Sequence, residues 1–245
     1  MKGFGTVYAK EMRAYLVSPI PYILVALFTP LIGWLFFKGL EQVGMYDFWL
    51  LRRASLDNLF GMLPIALALI VPALTMRLWS EEYRAGTIET LGTLPITPGA
   101  LVLGKFLAAW TLLCICLAAT LPIVFVVGSL GELDLGPVVG GYLGALFLGA
   151  ALLALGMWIS ALTRHQVVAF LITLACGVVL TFLLTKVAGS TRGATGRALS
   201  AIALDARFES LGRGVLELRD LVYFATFTVF FLYLNAETVD NRRYR

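Results

Sequence analysis

Few side chains in this sequence have the types and spacing that chemistry requires, and their neighbours decide most of them. Gly99 to Lys105 spells G-x-x-x-x-G-K, the spacing of a phosphate-binding loop. Phe106, however, stands where a Ser or Thr must reach magnesium, and the segment opens an apolar run with no β-strand before it. The chain is therefore not expected to hydrolyse ATP. Ser160 and the single histidine, His165, suggest a serine protease working inside a membrane. Such an enzyme needs its base on another span within hydrogen-bond reach, whereas these two lie at the end of one span and in its turn, with no G-x-S-x-G. Cys114 and Cys116 are two apart on a predicted helix, so they point to nearly opposite sides and cannot jointly hold a metal; Cys176 is alone in an apolar run. No catalytic, metal or cofactor residue is expected. What is left is a charged island, Arg77 to Lys105, carrying Glu81, Glu82, Arg84 and Glu89. Its chemistry is recognition: ion pairs and hydrogen bonds to a partner, or simply to water.

The island is punctuated by helix signals. Gly86 permits a bend, and Thr87 is placed to cap a short helix whose first turn holds Glu89, an acid suited to the positive end of a helix dipole. Pro95 closes that helix, and Thr97 before Pro98 is a second start, a capping hydroxyl followed by a proline whose missing N–H costs nothing at the first helical position. A helix at 86–95 held level between two membrane spans is suited to press on a soluble partner.

The rest of the chain is apolar enough to be the membrane part of such a device. Hydrophobic residues make up 60% and charged residues 14%, and the mean hydropathy is +0.88. Soluble domains carry about 25% charged residues, so this is an integral membrane protein, all-α and a single domain over 1–245. The net charge of +4 comes from juxtamembrane arginines without interleaved stacking aromatics, which excludes nucleic acid as the expected partner.

Six spans are expected. Residues 1–17 form a surface elbow helix, with Phe4, Val7, Tyr8, Met12, Tyr15 and Leu16 on one side and Lys2, Lys10 and Arg13 on the other. Ser18 caps the first span, Ile20 to Phe37, long enough to cross about 30 Å of hydrocarbon with help from its flanks. An aromatic outer loop with Tyr46, Phe48 and Trp49 leads to the second span, Asn58 to about Leu78, where Pro64 and Pro72 mark kinks, either packing features or hinges. The third span covers roughly Ala100 to Val127. The fourth carries Gly140, Gly141, Gly144, Ala145 and Gly149, spacings that admit a close helix neighbour from this chain or from a second subunit. The fifth runs from Val167 to about Thr185. Residues 186–220 form a polar extracytoplasmic segment, too polar to cross, in which Leu204, Phe208, Leu211, Val215 and Leu218 predict surface-lying helices. Leu221 to Ala236 is a short sixth span before a basic tail, Glu237 to Arg245.

Six spans put both termini on one side, but charge hardly says which. With the termini inside, the 19 Lys and Arg divide almost evenly between the two faces. The loop 128–137, without any basic residue, and the arginine-rich tail favour cytoplasmic termini; the arginines before the last span oppose them.

The island SEEYRAGTIETLGTLPITPGALVLGK resembles the segment between the second and third spans of ABC-2 type permeases, the membrane subunits of ATP-driven transporters. KEMRAYLVSPIPY is similar to that family's elbow helix entering its first span. RFESLGRGVLELRDLVYF is similar to a pattern, with Ser210, Gly212, Arg213, Gly214 and Asp220, in the subgroup associated with gliding motility and nitrous oxide reductase maturation. The resemblance covers essentially the whole chain. It implies the ABC-2, or type V exporter-like, architecture in a bacterial inner membrane, with both termini cytoplasmic. It implies that 86–95 is a coupling helix seated on a cytoplasmic ABC ATPase present in two copies, which binds the ATP. Glu81, Glu82, Arg84, Gly86, Thr87, Glu89, Thr90 and Leu91 would be the coupling residues. It further implies a second permease subunit, as homodimer or heterodimer, and admits an extracytoplasmic protein partner. Every span interior is read as free of Asp, Glu, Lys, Arg and His, which argues against an ion-coupled carrier and suits a bundle driven by a partner's ATP to move an amphipathic cargo, or to transmit motion without one.

Overall fold

The computed structural model describes residues 3–39, 47–51, 55–86, 96–191 and 193–243 of the chain. The described residues form helices connected by short turns, and six of the helical stretches are long and apolar enough to cross a membrane. The all-α, six-span architecture is as expected.

Helix α1 (Phe4–Val17) ends where Ser18 turns to extended backbone, and the Ser18 hydroxyl accepts from the N–H of Ile20 to start α2 (Pro19–Lys38). A single turn, α3 (Phe48–Leu51), follows, its Phe48 ring packed 5.2 Å from Phe36 and 5.7 Å from Phe37. Helix α4 (Asp57–Thr75) holds Pro64 and Pro72 and is buried along most of its length. It does not run on to Leu78. The chain turns at 76–79 and resumes as α5 (Ser80–Ala85), which Gly86 ends in a left-handed conformation at φ 69°, as the bend at that glycine requires.

Helix α6 (Pro98–Ala118) starts where it should, with the Thr97 hydroxyl accepting from the N–H of Ala100 ahead of Pro98. The third span is nonetheless two helices, since the chain breaks at Ala119 and Thr120 before α7 (Leu121–Leu130). Pro122 cannot donate to the carbonyl of Ala118 and its ring crowds it. Thr120 covers the break by donating its hydroxyl to the Leu117 carbonyl at 2.7 Å and meeting the Tyr142 hydroxyl at 2.8 Å.

At the centre stands α8 (Leu135–Leu162), capped by Asp134 and packed on α4, α6 and every later long helix. Its glycines are the reason it can take so many neighbours. A Cβ on Gly149 would lie 2.2 Å from Leu113, one on Gly141 2.3 Å from Phe60, and one on Gly140 2.3 Å from the carbonyl oxygen of Leu211.

Helix α9 (Gln166–Val178) passes through a π-helical turn at Val179–Leu183 into α10 (Leu184–Ser190), so the fifth span is longer than expected. Two short helices follow, α11 (Ala194–Ile202) and α12 (Leu204–Gly212). Helix α11 is exposed over most of its described residues, whereas α12 packs into the bundle. Leu204, Phe208 and Leu211 are buried while Val215 and Leu218 are exposed, because α12 sits against the glycine face of α8. The last helix, α13 (Leu218–Arg243), overruns the expected end of the sixth span and takes most of the basic tail into a helix. Near its end the Arg242 guanidinium donates to the Leu162 carbonyl at 3.0 Å and lies 4.8 Å from the centre of the Tyr83 ring.

Candidate functional site

The α5 end of the bundle gathers five chain segments, and one ammonium group joins three of them. Lys105 lies two turns into α6 and is 2% exposed. Its Nζ is 2.8 Å from a Glu82 carboxylate oxygen on α5 and 2.9 Å from Glu11 on α1, and it lies 5.1 Å from the centre of the Trp79 ring. A charge this deep is costly unless paired and hydrogen-bonded. Two carboxylates and an aromatic face supply that pairing.

Local sequence explains how the three side chains meet. Val7, Tyr8, Glu11 and Tyr15 share one face of α1, and that face packs on α6 where Gly104 removes the obstacle: a Cβ there would be 2.7 Å from Val7. The Tyr8 hydroxyl meets that of Thr111 at 3.2 Å further along α6. Burial, then the charge of Glu11, pushes the Tyr15 hydroxyl well above its usual range, so it stays a neutral donor beside the cluster. The elbow helix is therefore clamped to the bundle through a face that includes an acid, and Leu16, expected on that face, is 59% exposed.

The turn between α4 and α5 is held by α8. Ser160, fully buried, accepts from the N–H groups of Trp79 at 3.2 Å and Ser80 at 3.4 Å, and donates to the Met76 carbonyl at 3.3 Å. Ser80 also donates to Met76. Backbone groups left open by the turn are thus satisfied by a hydroxyl from a helix distant in sequence. That engagement removes the serine from any nucleophilic role with His165.

Of the residues expected to couple, Glu81, Arg84 and Gly86 lie on the exposed side of α5, with Glu81 paired to Arg77 at 3.2 Å across one helical turn. Glu82 does not face outward. It turns into the bundle to Lys105, because Glu81 and Glu82 are adjacent on a helix and must point to different sides. Thr87, Glu89, Thr90 and Leu91 lie outside the described residues, as does all of 87–95. Sequence reasoning missed Lys105, Glu11, Ser160 and Arg242. The first two had a signal, since a lysine inside an apolar span implies a counter-charge, and Glu11 falls on the otherwise apolar stripe of α1.

At this end, then, an elbow helix, the limb entering 86–95 and the start of the third span are joined by one ion cluster, below a six-span bundle. A family model described as ABC-2 family transporter protein matches residues 6–242. The chain belongs to the ABC-2 family. It is accordingly a multi-pass membrane protein and a transmembrane subunit of an ABC transporter; such ABC-2 subunits are not themselves the ATPase, usually work with an ATPase partner and form dimers. No curated protein matches the chain.

Proposed function

We propose that this ABC-2 subunit converts ATP hydrolysis in two copies of a separate cytoplasmic ATPase into export across the bacterial inner membrane, with its termini and the 86–95 segment on the cytoplasmic side. The observation that carries this reading is the Lys105 cluster. Glu82 sits shortly before Thr87 in the chain, so a push on the 86–95 segment reaches α5, and through Lys105 it reaches α6 and the elbow helix together. Arg242 at the end of α13 and Ser160 in α8 hold the same limb, which extends the linkage to the centre of the bundle. Glu81 and Arg84, exposed, and Glu89 are the charges offered to the ATPase; Glu82 acts inside the chain.

Affinity purification of the tagged protein from native membranes should recover a stoichiometric ATPase, and Glu89→Arg or deletion of Thr87 to Leu94 should lose it. Recovery of a membrane protein with no nucleotide-hydrolysing companion would end this reading.

A second reading is favoured by the packing of α12 against α8: motion of the central helix would be felt directly at the far end of the bundle, where an extracytoplasmic protein could receive it without transported cargo. The likeness of residues 207–224 to the gliding-motility and nitrous oxide reductase subgroup points the same way, and toward a heterodimer. Cargo accumulation with stimulated ATPase activity in reconstituted vesicles separates export from mechanical transmission.

A further inference from the structure

At the end of the bundle away from Lys105, a cavity of ≈ 500 Å³ opens between α4, the π-helical turn and α12. Its walls combine three aromatic rings, Phe60, Phe182 and Phe208, with the carboxylates of Asp57 and Asp205. We propose that this cavity binds a small organic cation, an alkylammonium head group, with Asp205 and Asp57 as its counter-charges and the phenyl faces as its walls.

Three observations support the assignment. First, the chain already places an ammonium there: Lys186 lies with its Nζ 5.6 Å from the centre of the Phe182 ring. That contact, between residues four apart on one helical stretch, is of the kind an alkylammonium ligand would make with the phenyl walls. Second, the charges do not close on themselves. Among the described lining residues Arg213 is paired with Glu209 at 3.5 Å and Lys186 acts on Asp205, with Asp57 also in the wall, so the described lining holds three carboxylates and two cations. The nearby Arg207 is engaged by Asp220 of α13 at 3.2 Å and is not available to balance the difference. Third, the wall that carries Phe182 is the π-helical turn, a distortion frequently found at functional sites.

Asp205 also carries the sign of an incomplete site. Burial, then the charge of Glu209, raises its carboxyl to about 6, although Lys186 and a hydrogen bond from Thr185 pull the other way. A bound cation supplies the stabilisation that these groups do not, so binding and proton release from Asp205 are linked. This site is independent of the ATPase reading, and its test uses no ATPase.

The test is saturation-transfer NMR of tetramethylammonium on the purified full-length protein in detergent, at constant ionic strength, with tert-butyl alcohol as the neutral probe of matching shape. Tetramethylammonium should bind at about pH 7.5 and about tenfold more weakly at about pH 5, the factor expected one unit below a carboxyl that titrates at about 6. Asp205→Asn should weaken binding at least about tenfold at the higher pH and flatten the pH dependence, and Phe182→Leu and Asp57→Asn should each weaken it several-fold. Glu132→Gln, in another loop, should leave it unchanged. Equal binding of the neutral probe, a flat pH profile in the unaltered protein, or full binding by the Asp205→Asn protein would overturn the assignment. Were Asp205→Asn not to fold, unchanged binding by both Phe182→Leu and Asp57→Asn would overturn it as well.

Discussion

Glu82 and Glu81 are neighbours with opposite duties, and that contrast organises the residue scale. Glu81 is half-exposed and tied to Arg77 across one turn, a pair whose removal should change stability by less than about 1 kcal/mol. Glu82 and Glu11 share a buried ammonium. Lys105→Met leaves two carboxylates together without their cation and should destabilise by about 3–5 kcal/mol, read as a large fall in thermal midpoint in detergent. Adding Glu11→Gln and Glu82→Gln to Lys105→Met should recover much of that loss, and a triple variant as unstable as the single one would mean the charges were not the cause. Asp205 gives a pH signature. Its carboxyl in the folded chain is raised to about 6 from the ordinary 3.8, so the ionised form is the disfavoured one. Stability linked to this group is full below about pH 4 and is lost as the pH rises through about 6. Asp205→Asn should therefore match the unaltered protein at about pH 4 and exceed its thermal midpoint at about pH 7; equality at both values would contradict the assignment of that shift to burial. At this scale the sequence was half-legible. The charged island announced itself, but adjacency on α5 decides which acid turns inward, and nothing in one sequence ties Glu11 to a lysine 94 positions later.

The same division appears among the elements. Caps were readable because they are local: Ser18 and Thr97 each accept from an N–H two or three residues on, as Asp134, not singled out in the sequence, also does. The interruptions were less so. Pro122 breaks the third span while Pro64 and Pro72 sit within a helix, since a proline's effect depends on whether neighbouring helices re-satisfy the freed carbonyls. The glycine spacings of α8 announced close packing but could not name α12 as the partner, because that helix belongs to a segment whose polarity suggested the surface. Asp205 and Glu209 line the cavity together with Phe208; Arg207 and Ser210 engage Asp220; and Leu204 and Leu211 are buried. Gly140→Ala should be severe, since its Cβ would meet the Leu211 backbone carbonyl at 2.3 Å and backbone gives less readily than side chains. A loss of at least about 1–3 kcal/mol is expected by thermal unfolding in detergent. Gly128→Ala meets nothing within 4 Å and should be neutral. Ala is the better helix former, so propensity alone favours both changes; a loss at Gly128→Ala as large as at Gly140→Ala, or no loss at Gly140→Ala, would mean that the α8–α12 approach does not set the effect.

For the whole molecule, six helices of sufficient length and an ABC-2 family match define the class of device, and its two ends differ as such a device requires. One end concentrates the paired charges of Glu11, Glu82, Arg77 and Lys105 with the helix end at Arg242; the other holds the aromatic and acidic cavity beside α12. Helix α8 runs between them and packs against elements at both. In the proposed mechanism that helix is the transmission and the 86–95 segment its handle. The most direct measurement is a site-specific cross-link in native membranes from a single thiol introduced by Thr90→Cys, with Cys114, Cys116 and Cys176 replaced. A product containing an ATPase subunit, changing in yield with ATP, and protection of the introduced thiol from a membrane-impermeant maleimide in intact cells, are the predicted results. Labelling from outside the cell, or no ATPase cross-link while the protein is folded and functional, would contradict it.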